Sequence, residues 1–222
     1  LNVMVKNYNT LKPFFSIVIP TYNCAELLQR ALKSVFSQSF QNFEIIVIDN
    51  SSTDYTQNVL NSYSDPRLNV LTVKNNGIIA YSRNKGIEKS KGEWIAFLDA
   101  DDIWLPQKLE KQIKCLENSD SGMVFSMQKH FGVTSIFSNY FGIGPLPFKK
   151  NTSVNALLQA NCIPTSSVVV KKDLVDEIGY FDERRSFIAI EDNDMWIRVS
   201  KVATIGYLPE VLVLHRNHRN SI

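Results

Sequence analysis

Residues Trp94 to Asp102 read WIAFLDADD. Five consecutive apolar residues, Trp94 to Leu98, lie between Gly92 and a cluster of carboxylates. No polar residue alternates with them, so the run predicts a strand buried on both faces, as in the sheet of an α/β protein. The strand ends in Asp99, Asp101 and Asp102. In extended chain Asp99 and Asp101 would leave the same face, with only Ala100 between them. Carboxylates this close repel one another unless a cation or ample water sits among them. Hard oxygen ligands at a strand end suit Mg or Mn, which keep several waters and share their site with substrate phosphate. A solvated acidic turn before the helix that Pro106 starts explains the same residues, and a DxD alone does not choose between the two.

Working upstream, Phe14 to Ile19 (FFSIVI) is a second buried strand, stopped by Pro20 and followed by the polar turn Thr21, Tyr22, Asn23. Glu26 to Gln38 carries Leu27, Leu28, Ala31, Leu32, Val35 and Phe36 at helical spacing. Phe43 to Ile48 is a strand ending in the polar run Asp49 to Asp54, with a helix over Tyr55 to Ser62. Val70 to Val73 makes a short strand and Ile79 to Lys89 a helix. Alternating strands and helices joined this way imply right-handed crossovers and an α/β fold with a mostly parallel central sheet flanked by helices. Ligands of such sheets bind outside the carboxyl ends of the strands, and each of those ends is polar here.

Downstream the pattern loosens. Pro106 to Glu117 reads as a helix with proline in its first turn, Gly122 to Met127 as a strand, and the Gly-, Pro- and Phe-rich stretch Gln128 to Lys150 as a long loop and lid candidate. Val154 to Ala160 reads as helix, Ser166 to Val170 as strand and Leu174 to Ile178 as helix. Glu191 to Val202 is a helix with Glu191 and Asp192 at its start. Ile205 to Tyr207 and Val211 to Leu214 are short strands before the polar tail HRNHRNSI. No repeat or linker divides the chain, which predicts one domain over 1–222.

Composition removes several classes. The 222 residues carry 24 basic and 22 acidic side chains, mixed along the chain for a net charge of +2, so no nucleic-acid surface is expected. No apolar run approaches the roughly 20 residues of a membrane helix, and the N-terminus lacks the pattern of a signal peptide, so a cytoplasmic protein is expected. Cys24, Cys115 and Cys162 lack CxxC spacing, against a disulfide framework or a zinc site. The Gly-rich fingerprints of dinucleotide and P-loop enzymes are missing after the first two strands.

Five separated segments then carry a resemblance: SIVIPTYN (Ser16 to Asn23), IIVIDNSSTD (Ile45 to Asp54), NNGIIAYSRNKGIEKSKGEWIAFLDADD (Asn75 to Asp102), GYFDE (Gly179 to Glu183) and EDNDMWIRV (Glu191 to Val199). Their order and spacing resemble the family 2 glycosyltransferases. The resemblance implies a GT-A fold, with a nucleotide-binding Rossmann-like half (about 14–102) and a smaller acceptor-binding half (about 103–222) joined at a metal-binding DxD. It also implies inverting transfer of a sugar from a nucleotide-sugar donor, most often UDP-linked. In bacterial relatives the acceptor is a saccharide or lipid-linked saccharide of surface-polysaccharide synthesis.

Carried over by position, Pro20, Thr21 and Tyr22 border the nucleotide, Asp49 meets the base, and Arg83 lies near base and ribose. Asp99 contacts ribose or a metal-bound water, Asp101 ligates Mg or Mn, and Asp102 supports the loop. Asp192 matches the base that takes the acceptor proton, with Glu191 orienting acceptor or loop. His218 fits a histidine near the diphosphate better than His215 does, and solvated tail residues are the plain alternative for both. His130 has no partner that the sequence names. Trp94, Trp104 and Trp196 read as packing, Trp104 alternatively as a sugar platform. Lys149, Lys150, Lys171 and Lys172 are candidates for peripheral contact with a membrane. Two rivals remain: a sugar-nucleotide pyrophosphorylase, whose Gly-rich opening loop FSIVIPTYN lacks, and a silent nucleotide-sugar binding module, which would need no base.

Overall fold

The computed structural model describes residues 12–132 and 163–217. Its strands are β1 (Phe15–Thr21), β2 (Phe43–Asp49), β3 (Leu68–Thr72), β4 (Trp94–Phe97), β5 (Ile103–Trp104), β6 (Ser121–Gly132), β7 (Val169–Lys171) and β8 (Thr204–Asn217). The helices are α1 (Ala25–Phe36), α2 (Thr56–Asn61), α3 (Ile79–Lys89), α4 (Lys108–Glu117), α5 (Lys172–Ile178) and α6 (Glu191–Val202). All strands join one sheet in the order β3-β2-β1-β4-β7-β6-β8-β5. From β3 to β4 the neighbours are parallel; β7 enters antiparallel to both β4 and β6, and β6 and β8 are again parallel.

The unbroken apolar runs are explained by a core on each face. Trp94, Ala96 and Leu98 join one cluster with Phe15, Ile17, Ile19 and the buried stripe Leu28, Ala31, Leu32, Val35 of α1. Ile95 and Phe97 join the other, with Val18, Ile48, Phe125, Phe181 and Trp196. Alternate residues of one strand therefore feed opposite layers, and both must be apolar.

Several boundaries depart from the sequence expectation for local reasons. Pro20 does not stop β1, which runs through it to Thr21. The Val18 carbonyl accepts from Leu98 N–H on the β4 side, and β4 pairing ends at Val18 and Phe97. By alternation the proline nitrogen faces that side beyond the last pair, where no ladder partner is lost. The two short strands expected near the C-terminus are one, β8, paired along β6 with three register shifts; Pro209 and Glu210 bulge out between Leu208 and Val211. The same pairing turns Gln128 to Gly132, expected as the start of a loop, into strand. The rest of that loop, the helix expected over Val154 to Ala160, Lys149 and Lys150 lie outside the described residues. Ser166 and Ser167, expected in a strand, belong to a 3-10 turn, Thr165–Ser167.

Gly92 does more than bound β4. A Cβ built there would lie 2.6 Å from the Ser16 nitrogen and 2.7 Å from the Phe15 carbonyl carbon, both backbone atoms that cannot swing away. Gly92→Ala is therefore expected to lower unfolding free energy by about 1–3 kcal/mol, the usual cost of overpacking. Urea denaturation checks this, and an unchanged midpoint would show that β1 can shift.

Candidate functional site

The DxD segment leaves β4 as a turn, not as extended chain. The Asp99 carbonyl accepts from Asp102 N–H at 3.0 Å, which closes the turn. The expectation that Asp99 and Asp101 share a face by strand alternation is thereby corrected: a reverse turn sets their directions. Asp99 and Asp101 are half-buried, whereas Asp102 is buried. The Asp102 carboxylate accepts from Arg216 N–H at 3.0 Å and lies 3.1 Å from Nδ1 of His215. Asp102 thus anchors the turn to β8, and β5, paired to Val213 and Leu214, fixes it there. His215 is a strand residue rather than part of a solvated tail, and it packs edge-on against His130, which in turn bonds Asn217.

The hydrogen bond to Asp102 raises the His215 pKa above its ordinary value, against the desolvation that lowers it. A raised folded-state value stabilises the protein below the unfolded pKa of ~6.5, and the contribution is lost as pH rises through the higher folded value. In EDTA, wild type is therefore expected to lose melting temperature above about pH 6.5 relative to His215→Gln. Parallel pH profiles for the two proteins would contradict the pairing.

Arg83 organises the floor of the site. Helix α3 buries a polar face, Ser82, Arg83 and Asn84, which is unusual for a helix against a sheet. The Arg83 side chain is 4% exposed, with one amino group 2.9 Å from Asp99 and the other 2.9 Å from Glu191. Its guanidinium also lies over Phe181, 5.6 Å from the ring centre. Burial alone would lower the Arg83 pKa, but Asp99 and Glu191 together carry it the other way. Arg83, expected near base and ribose, bonds the carboxylates of Asp99 and Glu191. Asn84 clamps the GYFDE segment, donating to the Phe181 carbonyl and Glu183 and accepting from Phe181 N–H at 3.0 Å.

Glu191 and Asp192 begin α6. Glu191 is buried, with Oε1 on Arg83 and Oε2 left without a hydrogen-bond partner. Asp192 is half-buried; its Oδ2 accepts from the Thr165 hydroxyl at 3.0 Å and its Oδ1 from Asn193 N–H. The next residue of the same turn, Ser166, accepts from Asp99 N–H through its hydroxyl at 3.1 Å. Consecutive residues thus touch the DxD turn and the start of α6, and Arg83 joins the same two places. The acidic end of β4 and the acidic start of α6 meet at one locus.

The first two loops are stitched to each other. Asn23, at φ 47°, receives Thr53 N–H on its side-chain oxygen, and its own N–H reaches the Ser52 hydroxyl. Asp49 is 1% exposed and accepts from Ser52 and from Gln57 at 2.7 Å, so it lies beneath this loop rather than on its rim. Asp54 receives Thr56 N–H at the start of α2. Pro20 and Thr21 are buried at the end of β1, and Tyr22 stands exposed above them. Trp104 is a core residue, its indole nitrogen donating to the Ser166 carbonyl at 2.8 Å, which removes the sugar-platform alternative. Lys172 pairs with Asp176. His218 lies outside the described residues.

Among the described residues no cluster of three or more His, Cys, Asp or Glu is arranged as a metal cage. The acids present still fit a hard cation of another kind. Asp99 keeps one oxygen clear of Arg83, and with Asp101 it offers the one or two carboxylates that Mg or Mn takes when phosphate and water complete the shell.

A mixed sheet with one parallel half, ending at an acidic turn that meets an acidic helix start, is the architecture of the GT-A class. In keeping with this, the chain superposes on S. aureus TarS in complex with UDP-GlcNAc with a TM-score of 0.77 at 21% identity, over 93% of this chain and 59% of that one. The family model of glycosyl transferase family 2 matches residues 16–179, and the chain belongs to that family. An uncharacterized glycosyltransferase of Rickettsia typhi, RT0329, is 30% identical over 214 residues, 95% of this chain and 66% of that protein. The Escherichia coli UDP-Glc:alpha-D-GlcNAc-diphosphoundecaprenol beta-1,3-glucosyltransferase WfaP is 31% identical over 189 residues, 83% of this chain and 69% of its own length.

Sequence reasoning missed Thr165, Ser166 and Asn84. Three consecutive hydroxyl residues after Pro164 were the available signal, and a strand of mixed polarity explained them equally well.

Proposed function

We propose that the protein transfers a sugar from a UDP-linked donor to a hydroxyl of a lipid-linked saccharide, with inversion at the anomeric carbon, in the assembly of a bacterial surface polysaccharide. The observation that carries this reading is the joining of Asp99 and the Glu191–Asp192 pair through Arg83 and through the Thr165–Ser166 turn. The WfaP name, a glucosyltransferase acting on a diphosphoundecaprenol-linked sugar, supports the donor and acceptor classes.

In this reading Pro20, Thr21 and Tyr22 border the nucleotide, and Asp49 shapes the loop beside the base. Asp99 and Asp101 would hold a divalent cation, Mg or Mn. The cation supplies charge neutralisation at the departing diphosphate. The acceptor oxygen forms its bond to the anomeric carbon as the bond to the diphosphate oxygen breaks. That bond's electron pair leaves with the nucleoside diphosphate, and the hydroxyl proton passes to Asp192. Single displacement needs one base on the face opposite the leaving group and no enzyme nucleophile. A carboxylate is a weak base toward an alcohol, so much of the acceleration comes from holding acceptor and base in line, worth roughly 7–11 kcal/mol in favourable cases. Glu191, buried on Arg83, fixes the start of α6 on which Asp192 rides. Among the described residues no helix is long and apolar enough to cross a membrane.

The test is UDP release from UDP-glucose, UDP-galactose, UDP-GlcNAc and UDP-GalNAc, each with Mn and a GlcNAc-diphosphate-lipid acceptor. Turnover of at least one donor is expected. Turnover of none, with UDP still bound, would favour the silent binding module.

A further inference from the structure

The turn Thr165–Ser167 is buried yet holds three hydroxyl side chains, and every one of its outward bonds goes to a different element. On one side it is gripped by β5 and α4: Trp104 donates to the Ser166 carbonyl and Gln112 to the Ser167 carbonyl, each at 2.8 Å. Gln112 is itself fixed by the buried Lys108 amine at 2.7 Å, and that amine sits 3.9 Å from the centre of the Trp104 ring. On the other side the turn offers two hydroxyls to the site, Ser166 to Asp99 N–H and Thr165 to Asp192 Oδ2. A hydroxyl is both donor and acceptor, and here the two residues use opposite roles: Ser166 accepts from the backbone and Thr165 donates to the carboxylate.

We propose that Thr165 is a positioning residue that acts through Asp192, its hydroxyl fixing the carboxylate's rotation so that the lone pair used on the acceptor proton points into the cleft. This rests on the reading of Asp192 as base. Without the bond the Asp192 side chain turns about its last torsion, which is broad for an sp² terminus. Asn193 N–H still bonds the other oxygen. The turn is rigid because Trp104 and Gln112 hold its backbone, so the hydroxyl is delivered to a set place. Thr165 touches no substrate atom in this scheme, and donor affinity should not depend on it.

The experiment compares wild type, Thr165→Val, Thr165→Ser and Asp192→Asn, with the UDP-sugar that wild type turns over, Mn and the same lipid-diphosphate acceptor. Valine keeps the shape and removes the donor; serine keeps the donor. Loss of a hydrogen bond to a charged group corresponds to a fall in kcat of about ten-fold or more in Thr165→Val. The donor KM and UDP affinity are expected to stay near wild type, and Thr165→Ser to recover most of kcat. If Asp192→Asn is inactive while Thr165→Val turns over like wild type, the positioning role is wrong and the base assignment stands. An equal loss in Thr165→Val and Thr165→Ser, or a loss of UDP binding in Thr165→Val, also overturns it in favour of simple packing. If Asp192→Asn retains turnover, the base assignment fails, and the role of Thr165 fails with it.

Discussion

Asp192→Asn is expected to turn over donor about 10²–10⁴-fold more slowly than wild type, the range that a positioned general base supplies. Asparagine keeps the size of the side chain and can still accept from Thr165, but its amide cannot take a proton from the acceptor hydroxyl. UDP affinity is expected to be unchanged, because in the proposed single displacement the nucleotide leaves from the face opposite the base. The competing account gives Asp192 only the common task of an acid in a helix's first turn, worth about 0.3–1 kcal/mol of stability. Asp194 shares that first turn and pairs with Arg198, so Asp194→Asn serves as the comparison. Steady-state UDP release separates the two accounts: similar rates in both variants would leave Asp192 without a chemical role.

Arg83→Met is expected to destabilise the fold by about 3–5 kcal/mol, the range for removing one partner of a buried ion pair. The reason is the carboxylate left behind. Glu191 has a side chain 7% exposed, and one of its oxygens already lacks a hydrogen-bond partner. Asp99, at 29% side-chain exposure, can turn to water and loses less. The double variant Arg83→Met, Glu191→Gln should therefore recover much of the loss, since the orphaned charge is gone. Arg83→Lys keeps the charge but lacks the planar fork that reaches both acids at once, and an intermediate loss is expected. Urea denaturation of the four proteins measures these differences. A loss under 1 kcal/mol in Arg83→Met would mean that the bridge does not hold the two acidic segments together.

The sheet was legible in the sequence because its strands are buried on both sides: FFSIVI, FEIIVI and WIAFL admit few other readings. The later strands were less so. β8 was broken in two on paper because Pro209 and Glu210 interrupt its pattern, whereas the fold absorbs them as a bulge opposite a continuous β6. The short β7 was displaced onto Ser166 and Ser167 because a turn that donates and accepts side-chain bonds leaves no periodic signature. The acids of the site were visible as types and spacings, in Asp99, Asp101, Glu191 and Asp192. What joins them was not, since nothing in the sequence pairs Arg83 with both Asp99 and Glu191 until its helix is known to bury that face. The same holds for Asp102 and His215, which lie 113 positions apart and meet only through the pairing of β5 with β8.

The central claim is that the acidic turn after β4 and the acidic start of α6 form one cleft in which a cation held by Asp101 would take the donor diphosphate. Calorimetric titration with UDP, in the presence and absence of Mn, addresses it directly. The account predicts that Mn strengthens UDP binding and that Asp101→Asn removes the gain while Asp192→Asn leaves it intact. UDP binding of equal strength with and without Mn in wild type would contradict it.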